Sequence, residues 1–336
     1  MKKIAIYFLL LFFVCFILPA LLTKSARETT KETTVEIIET NNEIEMTEEY
    51  NYNQYGKIKL LYKKSKEIEE IELEDYICNV VSAEMPVSYE LEALKAQAIV
   101  ARTYTIYKIQ NKKHEEADIC DDSGCCQAWI SKENRFARWE ETECKNNWDK
   151  IEKCVRETSG QIITYEGKPI NAFFHSNSGG ITEIPINVWG GSGYPYLQVV
   201  TTEGEEGYSQ YESEVEFSKD ELLQKLRSKY NDIQIDFQNN EDIKILEYTD
   251  SNRVRTVKFG NYEISGVEAR TLLGLKSTNF IIKKEGESIK FYVIGYGHGV
   301  GMSQTGADAM AKQGSNCYEI INHFYVGIDI KEVNSL

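Results

Sequence analysis

The sequence is short of positive charge. Its 336 residues carry 38 lysines and arginines against 53 aspartates and glutamates, a formal net charge of −15 at pH 7. A field of that sign repels phosphate backbones, which argues against nucleic acid as a partner. It does not exclude a carbohydrate polymer, because sugars are held by hydrogen bonds and stacking rather than by bulk charge. Internal repeats are absent, so a solenoid or propeller is excluded as well. Also lacking is the strict alternation of strand and helix that a parallel α/β sheet needs.

What is present begins with one long apolar run. Lys2 and Lys3 precede nineteen uncharged residues, Ile4 to Leu22. At about 1.5 Å rise per residue this nearly matches a hydrocarbon core of about 30 Å, whereas cleaved signal peptides carry a shorter apolar core of about 7–15 residues. Residues 1–23 are therefore expected to be a membrane anchor, with the lysines inside and everything beyond residue 24 outside. The small residues of Lys24-Ser25-Ala26 leave cleavage open. Residues 24–54 carry Glu28, Glu32, Glu36, Glu39, Glu43, Glu45, Glu48 and Glu49 among Thr and Asn, and read as a disordered, self-repelling stalk.

Order is expected from Tyr55. Ile58, Leu60 and Tyr62 alternate with lysines as in a strand, and Leu73, Ile77, Val80, Val81 and Met85 recur at helical spacing until Pro86 stops the run. A second, Ala-rich helix over 90–110 places Leu91, Leu94, Ala98, Ala101 and Tyr104 on one face, making a hairpin across Pro86. Further strands are expected over 161–165, 243–248, 253–259, 280–283 and 290–295, and helices over 219–229, 266–273 and 306–313. The expected class is α+β, a two-lobed extracytoplasmic unit over residues 55–336.

Three stretches stand out. The first is Val81-Ser82-Ala83-Glu84-Met85-Pro86, continuing into Ala93-Leu94-Lys95-Ala96-Gln97-Ala98-Ile99-Val100-Ala101-Arg102-Thr103-Tyr104. The second is Phe173-Phe174-His175-Ser176-Asn177-Ser178-Gly179-Gly180, and the third is Tyr296-Gly297-His298-Gly299-Val300-Gly301-Met302-Ser303-Gln304-Thr305-Gly306-Ala307. Together they resemble the signature of the stage II sporulation protein D family of peptidoglycan lytic transglycosylases, over nearly the whole exported part.

Glu84 ends an apolar helix just before a proline. A carboxyl there is poorly solvated, and desolvation raises its pKa toward what a general acid needs near neutral pH. The bland alternative is an exposed helix-end glutamate. The resemblance places Glu84 on the family's catalytic glutamate. It implies protonation of the glycosidic oxygen by Glu84, then deprotonation of the muramic 6-hydroxyl by the same carboxylate, giving a 1,6-anhydro product. One carboxyl suffices for this, where ordinary glycosidases use two.

His175, Ser176, Asn177 and Ser178 read as a strand tip whose polar side chains meet sugar hydroxyls, with a structural histidine as the alternative. In the Gly297–Gly301 run, glycine allows close approach to a ligand or simply a tight turn. Ser303 and Gln304, at a helix start, are expected substrate contacts. Lys95, Arg102 and Tyr104 follow on the helix after Glu84, where a basic group would meet the lactyl carboxylate of muramic acid. Solvated or packing roles compete there.

Cys15 lies within the apolar run and seven cysteines beyond it. His114, Cys120 and Cys126 are spaced six residues apart, beside a further thiol, Cys125. His and Cys in a turn-rich loop are zinc-type ligands. We expect His114, Cys120 and Cys126 to hold a structural zinc, with the fourth position unassigned. Disulfides are the competing account for an exported chain. Cys144 and Cys154 cannot pair if the segment between them is helical, since ten residues span about 15 Å. The resemblance implies that some relatives carry a metal here.

The resemblance further implies action on glycan strands denuded of stem peptides during engulfment in sporulation, at the mother-cell membrane facing the forespore. It implies stage II sporulation proteins P and M as partners. Two other readings stand beside it: a non-catalytic glycan-binding enhancer of a cell-wall amidase, and a zinc hydrolase using the His and Cys cluster.

Overall fold

Residues 55–332 are described by a computed structural model, so the expected anchor and stalk lie outside the described residues. Among the described residues no helix is long and apolar enough to cross a membrane.

The first lobe starts with β1 (Lys57–Leu61), whose buried Ile58 and Leu60 alternate with lysines. It pairs antiparallel with β2 (Ile68–Glu72) and parallel with the short β3 (Ile119–Cys120). Helix α1 (Leu73–Glu84) carries Glu74 and Asp75 in its first turn, where acidic groups favour the helix dipole, and buries Leu73, Tyr76, Ile77, Val80 and Val81. It ends because Met85 precedes Pro86 and is driven out of the helical region, to φ −121° and ψ 142°. The helix expected from residue 71 begins at Leu73 because Ile71 is held in β2 opposite Ile58.

Helix α2 (Leu91–Gln110) was expected to be apolar on one face, yet it is buried on all sides from Ala96 to Ile106. Its alanines let α1, α4 (Glu141–Arg156), β4 (Gln161–Tyr165), α8 (Gln304–Lys312) and α9 (Cys317–Phe324) pack directly around it. The short α3 (Lys132–Phe136) leads into α4, which turns Cys144, Trp148, Ile151, Cys154 and Val155 inward. Strand β4 runs between β5 (Lys168–Pro169) and β14 (Asp329–Glu332). The β4–β5 hairpin closes on Glu166 and Gly167, whose φ values of 50° and 76° suit a tight turn between twisted strands. Strand β6 (Phe174–His175) pairs parallel with β13 (Met302–Ser303), and α5 (Pro185–Trp189) follows β6 before the chain enters the second lobe.

The second lobe holds β7 (Glu212–Ser218), α6 (Lys219–Arg227), β8 (Ile243–Tyr248), β9 (Val254–Phe259), β10 (Tyr262–Ser265), α7 (Gly266–Leu273), β11 (Asn279–Glu285) and β12 (Ser288–Ile294). Two antiparallel sheets, β11-β12-β7 and β10-β9-β8, enclose Phe217, Leu222, Leu226, Val257, Phe259, Phe280 and Phe291 with α6 and α7. The mixed helices and strands make the class α+β. Both lobes belong to one compact unit.

Two hydrophobic cores are separate, and the seam between them is polar. Arg253, from the second lobe, donates to the carbonyls of Ser178 at 2.7 Å and Ile181 at 3.2 Å, and to Ser277 Oγ at 3.0 Å. Glu183 accepts from Thr249 and Ser251 of the second lobe, each at 2.6 Å.

Candidate active site

A cleft of about 750 Å³ opens over this seam. Glu84, Tyr104 and Lys108 line it from α1 and α2, Phe173, Phe174, His175 and Ser176 from around β6, and Arg270 and Tyr296 from the second lobe. Its chemistry centres on Glu84. As the last residue of α1 its side chain leaves the packed face and enters the cleft, where Oε1 accepts the Ala128 N–H at 2.6 Å and Oε2 lies 3.5 Å from Gln304 Nε2. Burial pushes the carboxyl up to about 7, against these two hydrogen bonds, which favour the ionised form. A group so placed both donates and accepts a proton near neutral pH.

Gln304 is 220 positions from Glu84 in sequence. It arrives there because α8 starts at Gln304, two residues before the expected helix over 306–313: the Ser303 hydroxyl caps the helix, accepting the Gly306 N–H at 3.3 Å. Gln304 Nε2 also reaches Gln97 Oε1 at 3.4 Å.

His175 is buried, and its Nδ1 lies 3.1 Å from the Val300 carbonyl. A carbonyl only accepts, so Nδ1 carries the proton and Nε2 is a bare acceptor, without a partner among the described residues. Burial, then the nearby Arg253 charge, lowers its pKa to about 4 and keeps the ring neutral. His298 has the opposite tautomer, because its Nδ1 accepts the Val300 N–H at 3.0 Å. It packs against Trp189 with ring centres 5.0 Å apart and Phe173 at 6.1 Å, so it is part of an aromatic wall. Trp189, 51% exposed, and Tyr296, 41% exposed, are the open faces of that wall.

Of the expected substrate contacts, His175, Ser176, Gln304 and Tyr104 line the cleft with Glu84. Four others do not line it. Arg102 is buried and donates from Nε and Nη2 to Glu74 at 2.9 and 2.6 Å, a pair that satisfies a cation inside the α2 core. Lys95 bonds Glu92 and Glu157, each at 2.7 Å. Ser178 and Ser303 both donate to Glu205, a carboxylate that sequence reasoning missed. It also accepts from Thr202 at 2.6 Å, Thr305 at 2.8 Å, and the N–H groups of Ser178 and Gly180, each at 3.1 Å. Burial alone would raise the Glu205 carboxyl, but these donors hold it below the usual value. Glu205 thus fixes the β6 and β13 segments beneath the cleft. No local pattern marks it, since its donors lie up to 100 positions away.

Two glycines of the run are required by close packing. A Cβ on Gly301 would sit 1.9 Å from the Phe173 carbonyl oxygen, and one on Gly299 would sit 2.5 Å from the Arg253 guanidinium.

Beside Glu84, the 114–126 loop gathers His114, Cys120, Cys125 and Cys126 with their donor atoms all within 4.8 Å of one another. Sγ of Cys126 is 3.5 Å from both Cys120 Sγ and His114 Nε2, and 4.0 Å from Cys125 Sγ; Cys125 Sγ is 3.7 Å from the same nitrogen. Thiolates about 2.3 Å and an imidazole about 2.1 Å from a tetrahedral zinc are separated by about 3.5–3.8 Å, so the donor set fits that ion. Cys125 is the fourth donor gathered at this point. The seven cysteines described are free. Cys144 and Cys154 both lie on α4, as their expected inability to pair requires.

A cleft built around one carboxyl with a pKa near neutrality, on a two-lobed α+β frame, is the frame of a sporulation protein: a family model described as stage II sporulation protein matches residues 62–165. Over 271 residues the chain is 37% identical to stage II sporulation protein D of Bacillus amyloliquefaciens, covering 80% of this chain and 76% of that one. It is 34% identical to stage II sporulation protein D of Bacillus subtilis (strain 168) over 274 residues, 81% and 78% of the two chains. An amidase enhancer of Bacillus subtilis (strain 168) is 28% identical over 298 residues, 74% of this chain and 39% of that one. The chain belongs to the stage II sporulation protein D family.

Proposed function

We propose that this chain is a lytic transglycosylase that cleaves the bond between N-acetylmuramic acid and N-acetylglucosamine in peptidoglycan glycan strands denuded of stem peptides. The observation that carries this is Glu84: among the described residues lining the cleft it is the one carboxyl, and it is held near pKa 7. Ordinary glycoside hydrolases use a second carboxylate as base or nucleophile, and among the described residues none other lines this cleft. Protonated Glu84 donates its proton to the glycosidic oxygen, the C1–O bond breaks, and the glucosamine side leaves as an alcohol. The oxocarbenium-like centre left on muramic C1 is stabilised by the substrate's own acetamido group. Ionised Glu84 then takes the proton of the muramic 6-hydroxyl, whose oxygen bonds to C1. The 1,6-anhydro product forms, Glu84 is protonated again, and no water is consumed. Gln304 positions the carboxyl, the His175 Nε2 accepts a sugar hydroxyl or amide proton, and Trp189 and Tyr296 offer faces on which sugar rings stack.

His114, Cys120, Cys125 and Cys126 would hold a zinc ion. With four protein donors the sphere is closed, so the ion would brace the loop rather than activate water, which places the zinc-hydrolase reading last. Such a brace would act on Glu84 through the chain: Cys126 is two residues from Ala128, whose N–H is bonded to Glu84. A membrane anchor over residues 1–23 would hold the unit outside the mother-cell membrane, facing the forespore, with stage II sporulation proteins P and M as partners. The second reading, a glycan-binding enhancer of an amidase, is favoured by the likeness to the amidase enhancer.

The deciding experiment incubates the purified chain with glycan strands lacking stem peptides and analyses the products by mass spectrometry. Anhydromuramic ends are expected. Reducing ends would replace the lytic mechanism by hydrolysis, and binding without cleavage would leave the enhancer reading.

A further inference from the structure

Among the described residues, the two fully buried arginines are committed to internal acceptors. Arg102 is paired with Glu74, and Arg253 donates to three oxygens. Arg270, on α7 of the second lobe, lines the cleft and has no hydrogen-bond or ion-pair partner among the described residues. Lys108, on α2 of the first lobe, lines the same cleft with the Tyr104 ring, 5.0 Å away, as its neighbour and no carboxylate beside it. The charged residues lining the cleft are therefore two cations and Glu84, in a chain whose net charge is −15. Elsewhere its lysines and arginines are repeatedly met by acids, as at Lys95, Lys290 and Lys312. An unpaired, largely desolvated guanidinium is costly. A guanidinium stays charged under such burial, and its fork of donors matches a carboxylate.

We propose that Arg270, supported by Lys108 from the other lobe, binds the free lactyl carboxylate of N-acetylmuramic acid and so determines which glycan strands the cleft accepts. This rests on the glycan reading above. The lactyl group is an anion only once its stem peptide is gone; with the peptide attached, the same carbonyl is a neutral amide. A cationic cleft thus distinguishes the two strands by charge at a single atom group. It also replaces the expectation that Lys95 or Arg102 meets this carboxylate, since both are committed to internal acids.

The test measures binding in a Glu84→Gln background, so that cleavage plays no part. Fluorescently labelled strands with free lactyl carboxylates are compared with the same strands after conversion of those carboxylates to methylamides. The free strands are expected to bind about 10- to 100-fold tighter, as a lost charge-assisted hydrogen bond implies. Arg270→Ala should bring the two strands to within a few-fold of each other, Arg270→Lys should keep part of the preference, and Lys108→Ala should reduce it. Equal affinity of the Glu84→Gln chain for both strands overturns the inference and leaves the glycan reading standing, as does full discrimination in Arg270→Ala. Absence of binding to either strand removes the glycan reading and the inference with it. The Arg270→Lys variant keeps the test open if the alanine variant folds poorly.

Discussion

At the residue scale Glu84 governs both activity and stability. Its pKa of about 7 against an ordinary 4.5 means that the unfolded chain gives up this proton first as pH rises. Between pH 4.5 and 7 the folded state holds more protons, so stability falls through that window and the full cost is present above it. The difference amounts to on the order of 3 kcal/mol. Glu84→Gln keeps the shape and acceptor oxygen but cannot donate a proton. It should abolish cleavage, and it should be more stable than the parent at pH 8 by on the order of 2–3 kcal/mol while matching it near pH 4. Denaturant titrations at the two pH values check this; a gap independent of pH would refute the raised pKa. The parent's cleavage rate should fall as pH rises through about 7, because the acid form is then lost. Glu84 was legible in the sequence from its apolar helix and the following proline. The sites of Arg102 and Lys95 were not, because whether a cation faces a cleft or an internal acid depends on Glu74, 28 positions from Arg102, and on Glu157, on another helix's end.

At the element scale, the helices were readable where one face is apolar and a stop residue follows, as at α1 and α7. Reading failed where burial is complete. The alanine-rich α2 shows one apolar face to a pattern analysis but is enclosed on all sides, since small side chains admit neighbours that leave no periodic trace. Strand β7 alternates glutamates with Ser213, Val215 and Phe217, a period-two pattern that sequence analysis passed over because only Phe217 is buried; pairing with β12, 70 to 82 positions on, fixes it. The 114–126 loop is the opposite case: spacing exposed His114, Cys120 and Cys126, and only the fold brought Cys125 to the same point. Cys126→Ser removes a donor shared by the whole cluster. It should lower bound zinc, measured by elemental analysis, and lower the melting temperature by several degrees, as loss of about 1–3 kcal/mol implies for a domain of this size. Chelation of the parent should give the same shift and leave Cys126→Ser unmoved. An unchanged melting temperature with no zinc in either protein would leave the loop without a metal role.

At the scale of the molecule, two hydrophobic cores meet across a polar seam, and the cleft lies over that seam. Pattern analysis suggested two lobes but could not locate their junction, because Glu183, Glu205 and Arg253 are polar residues in stretches without periodicity. Each is buried, and each is bonded to partners from distant segments. A polar seam differs from a shared apolar core in what it asks of its members: a single unpaired group forfeits several hydrogen bonds at once. Arg253→Met keeps most of the side chain's volume but leaves the Ser178 and Ile181 carbonyls and Ser277 without their donor. It also removes the charge that lies against Gly299 in the turn carrying His298. The parent should unfold in one calorimetric transition, because the seam transmits the loss of either core to the other. The variant should lose on the order of 3–5 kcal/mol, and its transition should split into two, one for each core. If it unfolds in a single transition at the parent's temperature, the lobes are coupled by something other than this seam. Arg270 and Tyr296 reach the cleft from the second lobe, whereas Glu84 and Tyr104 belong to the first. Loosening the seam should therefore weaken glycan binding even though Arg253 is not among the residues that line the cleft.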